Sequence, residues 1–177
     1  DSRQLHSSRC GCGVCRRRCC LSAACGAYSE LADVLLPERC IASPAEAEAY
    51  LARLSLVGNA LDKDTLEQRQ QGARGFLAPA WSIDLTLGQM RKLRNAPAAQ
   101  NTLVESLVRR TAEKGITGDW ASRATAIVER QIYPALDRQI AMMEQLKPTS
   151  KAGDGAWRLP EGEAIYAAAL AQAPTAN

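Results

Sequence analysis

Six of the seven cysteines (Cys10, Cys12, Cys15, Cys19, Cys20 and Cys25) and the only histidine, His6, fall in the first 25 residues, with Arg16, Arg17 and Arg18 among them. Zinc sites are built from such ligands, and Cys12-x-x-Cys15 has the spacing of a ligand pair. A structural site needs a second pair about a dozen or more residues away, whereas Cys19 and Cys20 are adjacent. Disulfide staples are a second reading, since small exported chains are cysteine-dense. Seven is an odd number, and the rest of the chain needs no staples. Arg16-Arg17-Arg18 followed by Leu21-Ser22-Ala23-Ala24-Cys25-Gly26 faintly resembles a lipoprotein cleavage box, but its apolar run is shorter than the roughly 7 residues an export signal requires. The segment shows neither helical nor strand periodicity. That favours residues 1 to 25 as a cysteine- and arginine-rich tail not selected to fold, of the kind a GC-rich reading frame or a cloning junction yields, and expected to be disordered.

Beyond that tail the residues for familiar chemistry are missing. A serine or cysteine nucleophile needs a neighbouring base, and the one histidine lies in the tail. The carboxylate pairs Asp62/Asp64 and Glu161/Glu163 are spaced i,i+2, which turns them to different helical faces and argues for solvated charge over paired acid–base work. Gly11-Cys12-Gly13 and Gly153-Asp154-Gly155 lack the strand–turn–helix setting of a phosphate cradle and read as loops. Arg91, Lys92, Arg94, Arg109, Arg110 and Lys114 lie among acidic residues and read as a solvated face. One cluster differs in kind. In Trp157-Arg158-Leu159-Pro160-Glu161-Gly162-Glu163-Ala164-Ile165-Tyr166 an aromatic, a Pro–Gly turn and a second aromatic lie within a few residues. It reads either as a packed turn entering a helix or as a loop lining a pocket.

Charge narrows the partners. The formal net charge is +3, but residues 1 to 25 hold five Arg and one Asp, while the rest of the chain holds 17 basic and 18 acidic residues. The body therefore carries no basic footprint for nucleic acid or an anionic membrane. Nor does it contain the roughly 18 consecutive apolar residues of a transmembrane helix.

The elements that must position any site are helices. Aromatic residues make up 5% of the chain and Phe76 is its one phenylalanine, so the core must be made of Ala, Leu, Val and Ile, which suits packed helices. Ser43-Pro44-Ala45-Glu46 is a capping box with proline at the first helical position. The helix it starts carries Tyr50, Leu54, Val57 and Leu61 on one face and should run to the Gly72 to Gly75 region, with Gly58 as a tolerated cost of about 1 kcal/mol relative to alanine. Ser82 or Asp84 is expected to cap a second helix bearing Leu85, Leu87, Met90 and Leu93, ended by Asn95-Ala96-Pro97. A third should bury Leu103, Leu107, Val108 and Ala112, pair Glu105 with Arg109 and end at Gly115. A fourth, capped by Asp119, carries Trp120, Ala124, Ile127, Ile132, Leu136, Ile140, Met143 and Leu146. Pro134 lies inside it and should remove a backbone bond and kink it. Glu161 to Ala173 reads as an alanine-rich fifth. The expectation is an all-α protein: an elongated bundle of about five amphipathic helices, cut from a larger helical protein, whose long faces call for missing chain or a homo-oligomer.

The Trp157–Tyr166 cluster, with Ala45-Glu46-Ala47-Glu48-Ala49-Tyr50-Leu51-Ala52-Arg53-Leu54, Ile83-Asp84-Leu85-Thr86-Leu87 and Tyr133-Pro134-Ala135-Leu136-Asp137-Arg138, resembles the bacterial domain of unknown function 885 family. The likeness runs from about Gly26 to the end, forming one helical partial domain, and residues 1 to 25 do not fit it. The resemblance implies large helical proteins similar to zinc metallopeptidases, often exported or periplasmic, acting on peptide-like substrates. Their presumed site is a His-Glu motif, a further His and a distant Glu, all downstream of the Pro-Gly turn, with metal-bound water as the implied nucleophile. This chain ends at Asn177, before those ligands, so it is expected to hold no metal, no cofactor and no catalytic residue, and to be inactive alone. Only Trp157, Glu163 and Tyr166 carry over, as substrate-binding pocket groups. The family usually shows two adjacent tyrosines where this chain has Ile165-Tyr166.

Overall fold

The computed structural model describes residues 41 to 171 except Asp154. The cysteine- and arginine-rich tail and the stretch that follows it to Cys40 lie outside the described residues. The first helix, α1 (Pro44–Ala73), starts as its capping box requires. The Glu46 amide donates to Ser43 Oγ at 3.4 Å and the Glu46 carboxylate accepts from the Ser43 amide at 3.1 Å. It stops in a Schellman turn: Gly75, at φ 84°, donates to the Gly72 carbonyl and Phe76 to the Gln71 carbonyl. The left-handed residue there is a glycine because a side chain would be strained. Tyr50, Leu54, Val57 and Leu61 are all buried.

Helix α2 (Ala80–Asn95) begins earlier than expected, on the Pro79 carbonyl, and neither Ser82 nor Asp84 caps it. Asp84 instead meets Lys147 at 2.6 Å. Its buried face is Ile83, Thr86, Leu87 and Met90, leaving Leu85 62% exposed. Leu85 and Leu87 are two residues apart, so one helix face cannot hold both. A 3₁₀ turn (Ala98–Gln100) leads to α3 (Thr102–Glu113), where Asn101 Oδ1 caps the Leu103 amide at 3.1 Å. The buried stripe of α3 is Leu103, Val104, Ser106, Leu107 and Thr111, with Val108 and Ala112 turned outward. Arg109 pairs with Glu113 at 3.6 Å rather than with Glu105. Gly115 takes the expected left-handed conformation, φ 64°, closing a second Schellman turn.

The fourth helix, α4, is composite: Trp120–Ile127, a π-turn over Val128–Ile132, then Tyr133–Leu146. Asp119 does not cap it through its side chain but accepts from Ser122 Oγ at 2.6 Å. The disturbance expected at Pro134 takes the form of this π-turn. A proline has no N–H for the carbonyl four residues back and its ring collides with it, and a widened turn relieves both faults while the backbone stays right-handed. A last helix, α5 (Gly162–Ala171), follows a 3₁₀ turn at Ala156–Arg158. No strand occurs among the described residues, and none of their helices is long and apolar enough to cross a membrane.

Contacts between residues some 75 positions apart fix the topology. Glu48 pairs with Arg123, Gly58 abuts Gln131, Asp62 pairs with Arg138, and Gly72 abuts Leu146. Both numbers rise together, so α1 and α4 lie parallel along their whole lengths. Helix α2 runs antiparallel to the second half of α4, since Asp84 meets Lys147, Arg91 meets Glu144 and Arg94 meets Asp137. Helix α3 forms an antiparallel hairpin with the first half. The spine α4 thus carries α1 on one side and α2 and α3, end to end, on another. Tyr50, Leu54, Leu61, Met90, Leu107, Ile132, Leu136 and Met142 form the fully buried centre.

Candidate functional site

The Trp157–Tyr166 cluster is a docked turn with one buried and one exposed side. Pro160 and Glu161 occupy its centre; Gly162 donates to the Leu159 carbonyl at 3.1 Å and Ile165 to the Glu161 carbonyl at 3.0 Å. Glu161, not Gly162, holds the left-handed position, φ 56°. That conformation costs a side-chain-bearing residue energy. Gly162 serves another need, opening α5 from a buried position. Arg158, Leu159 and Ile165 are buried, and the Pro160 ring lies against Gly75 at the end of α1. These contacts anchor the turn.

The three residues the sequence singles out are all exposed. Trp157 is 72% exposed and Tyr166 60% exposed, and Glu163 is exposed as well. Glu163, Tyr166 and Leu170 share one face of α5, being three and four residues apart. The Trp157 ring rests against the backbone of Gly153 and Gly155, where a side chain would strike it. The indole thus packs on glycine backbone, and the helix that follows bears a carboxylate, a phenol and an apolar side chain on one exposed face. Such side chains can contact a ligand.

Of the carboxylate pairs read from the sequence as solvated, Asp62/Asp64 takes partners on the neighbouring helix. Asp62 accepts two hydrogen bonds from Arg138, at 2.8 and 2.7 Å, and Asp64 accepts from the amides of Gln68 and Gln139. The i,i+2 spacing does divide them, one to an inter-helix ion pair and one to a partly buried amide network. Arg123 likewise grips Glu48 with both Nη atoms, and this hydrogen bond holds the Glu48 carboxyl below its ordinary range. Sequence reasoning placed Tyr50 on a buried face but missed the burial of Tyr133 and the hydrogen bonds of both hydroxyls, whose partners are distant in the chain. Tyr133 Oη donates to the Ala96 carbonyl at 2.6 Å and accepts from Asn101 Nδ2 at 3.4 Å, with the Arg94 guanidinium 4.9 Å from its ring centre.

Tyr50 Oη donates to the Leu103 carbonyl at 2.8 Å, and burial pushes its pKa up to about 12. Its proton is held too tightly for acid–base work near neutrality. An unfolded tyrosine ionises near pH 10. The stabilisation from Tyr50 is therefore complete below pH 10 and is lost as pH rises towards 12, because the unfolded chain releases its proton first. Between pH 9 and 11.5 the parent chain should lose on the order of 2 kcal/mol more stability than Tyr50→Phe does. Urea midpoints at both pH values check this, and parallel losses in the two proteins would refute it.

No group of three or more His, Cys, Asp or Glu among the described residues could hold a metal ion. Residues 41 to 171 contain neither histidine nor cysteine, so the zinc implied by the family resemblance finds no fitting donor set here. What the geometry defines is an all-α scaffold whose last turn and helix expose two aromatic side chains, Trp157 and Tyr166. The chain matches, over residues 14–177, the family described as bacterial protein of unknown function, DUF885, and belongs to it. The match begins at residue 14, ahead of Gly26, and so takes in part of the cysteine-rich segment. No curated protein and no solved structure matches the chain.

Proposed function

We propose that this chain is the helical scaffold portion of a metallopeptidase-like hydrolase, inactive by itself, contributing a wall of the substrate site. What supports the reading is the pairing of family membership with the exposed Trp157, Glu163 and Tyr166 on a turn whose other side is anchored in the fold. Trp157 and Tyr166 would stack on apolar or amide groups of a peptide-like substrate, and Glu163 would meet a cationic group. Metal ligands and the general base would come from residues other than those described, either from further chain or from a partner. The isolated chain should show no peptidase activity with or without added Zn²⁺. Activity that appears with zinc and vanishes with a chelator would sink the proposal.

A second reading is a helical binding module without catalysis, favoured by Leu170, 56% exposed on the same face as Tyr166. It expects a defined complex in size-exclusion chromatography. A monomer that also gives no response with a dye for apolar patches counts against it.

A further inference from the structure

A groove of about 340 Å³ runs between α1 and the second half of α4, and none of its lining residues belongs to the Trp157–Tyr166 cluster. Its apolar lining is Leu66, Ala141 and the buried Met142, and Leu66 is 57% exposed. Polar groups surround it: the Thr65 hydroxyl, the Gln145 carboxamide, and two guanidiniums, those of Arg69 and Arg138. The Arg138 group is already committed to Asp62 through two hydrogen bonds. Arg69 makes no ion pair with any described residue, which leaves the groove one positive charge in excess beside exposed apolar surface.

We propose that this groove binds the C-terminal end of a peptide whose last residue is apolar. Charge complementarity assigns the terminal carboxylate to Arg69, whose planar fork suits bidentate pairing with a carboxylate. Leu66, Ala141 and Met142 receive the last side chain. Gln145 can both donate to and accept from a peptide group, and the Thr65 oxygen, whose hydrogen goes to the Leu61 carbonyl, retains capacity to accept. That mixture of apolar lining and amide-matching groups favours a peptide over a plain alkyl chain. The volume lies at the lower end of the range for small-ligand sites, roughly 300–1,000 Å³, which suits one or two residues.

The test is a titration of the intact chain, followed by amide chemical shifts, with N-acetyl-Ala-Ala-Leu bearing a free carboxylate, with its C-terminal amide, and with decanoate. Saturable shifts confined to residues 62 to 69 and 138 to 145 are expected, with the carboxylate form at least tenfold tighter than the amide. Arg69→Gln should weaken the carboxylate form by a similar factor. Comparing acid with amide on the unaltered chain keeps the result independent of how the variant folds. Shifts that do not saturate, or equal binding of acid and amide, would overturn the site. Decanoate binding tighter than the peptide would overturn its assignment to a peptide terminus.

Discussion

Gly58→Ala is expected to destabilise this protein by about 2 kcal/mol, although alanine is the better helix former by about 1 kcal/mol. Gly58 is buried in α1 where the helix crosses the π-turn of α4. A Cβ there would lie 2.8 Å from the Gln131 carbonyl oxygen and 3.1 Å from its carbon. Both are backbone atoms, so relief requires shifting one helix against the other, and overpacking of this kind costs about 1–3 kcal/mol beyond the propensity gained. Gly88 in α2 provides the contrast, because nothing lies within 4 Å of its added Cβ. Gly88→Ala should stabilise by about 0.5–1 kcal/mol through helix propensity and a less disordered unfolded chain. Denaturant midpoints for the two variants should move in opposite directions. A Gly58→Ala protein as stable as the parent would mean that the crossing is not as tight as described.

Removing the Tyr133 side chain should cost more. The ring is 7% exposed and sits where α2 ends, α3 begins and α4 passes through its π-turn. Tyr133→Ala leaves a cavity at that junction and should cost about 3–5 kcal/mol, as other large aromatic truncations do. Tyr133→Phe keeps the ring but deprives the Ala96 carbonyl and Asn101 Nδ2 of their partner, for a loss of about 1–2 kcal/mol. The two together separate packing from hydrogen bonding. Hydrogen exchange should localise the damage: the amides of Leu103 and Val104, next to the Asn101 cap, should lose protection in Tyr133→Phe before those at the far end of α3. A loss below about 1 kcal/mol for the alanine variant would show that Tyr133 does not pin the junction.

The helix termini were the most legible part of the fold in the sequence. Ser43, Pro44 and Glu46 satisfy one another within four residues, and Gly115 needs no distant partner to adopt a positive φ. Faces were harder to read. Leu85 and Val108 look like core residues beside their apolar neighbours, yet they lie exposed because Ile83, Thr86 and Ser106 take the inward positions. Thr86 can be buried because its hydroxyl donates to the Ser82 carbonyl, a bond invisible to a scale of apolar character. The Trp157–Tyr166 cluster stood out in the sequence by density alone. The division between its anchoring residues and its exposed ones comes from tertiary packing, which buries Arg158, Leu159 and Ile165 and sets Pro160 against Gly75.

The sequence by itself determined that the described part of the chain is helical, where most of its helices begin and end, and that its histidine and all its cysteines lie outside that part. Those properties follow from backbone sterics, local hydrogen bonding and plain residue identity. Only the tertiary structure decided that α1 and α4 run parallel, that Gly58 is a close-approach residue and not a tolerated cost, and that Arg69 is left beside an apolar groove while Arg138 is engaged. Each depends on which residues, some 75 positions apart, are brought to the same level of the bundle. No pattern within a single helix carries that information.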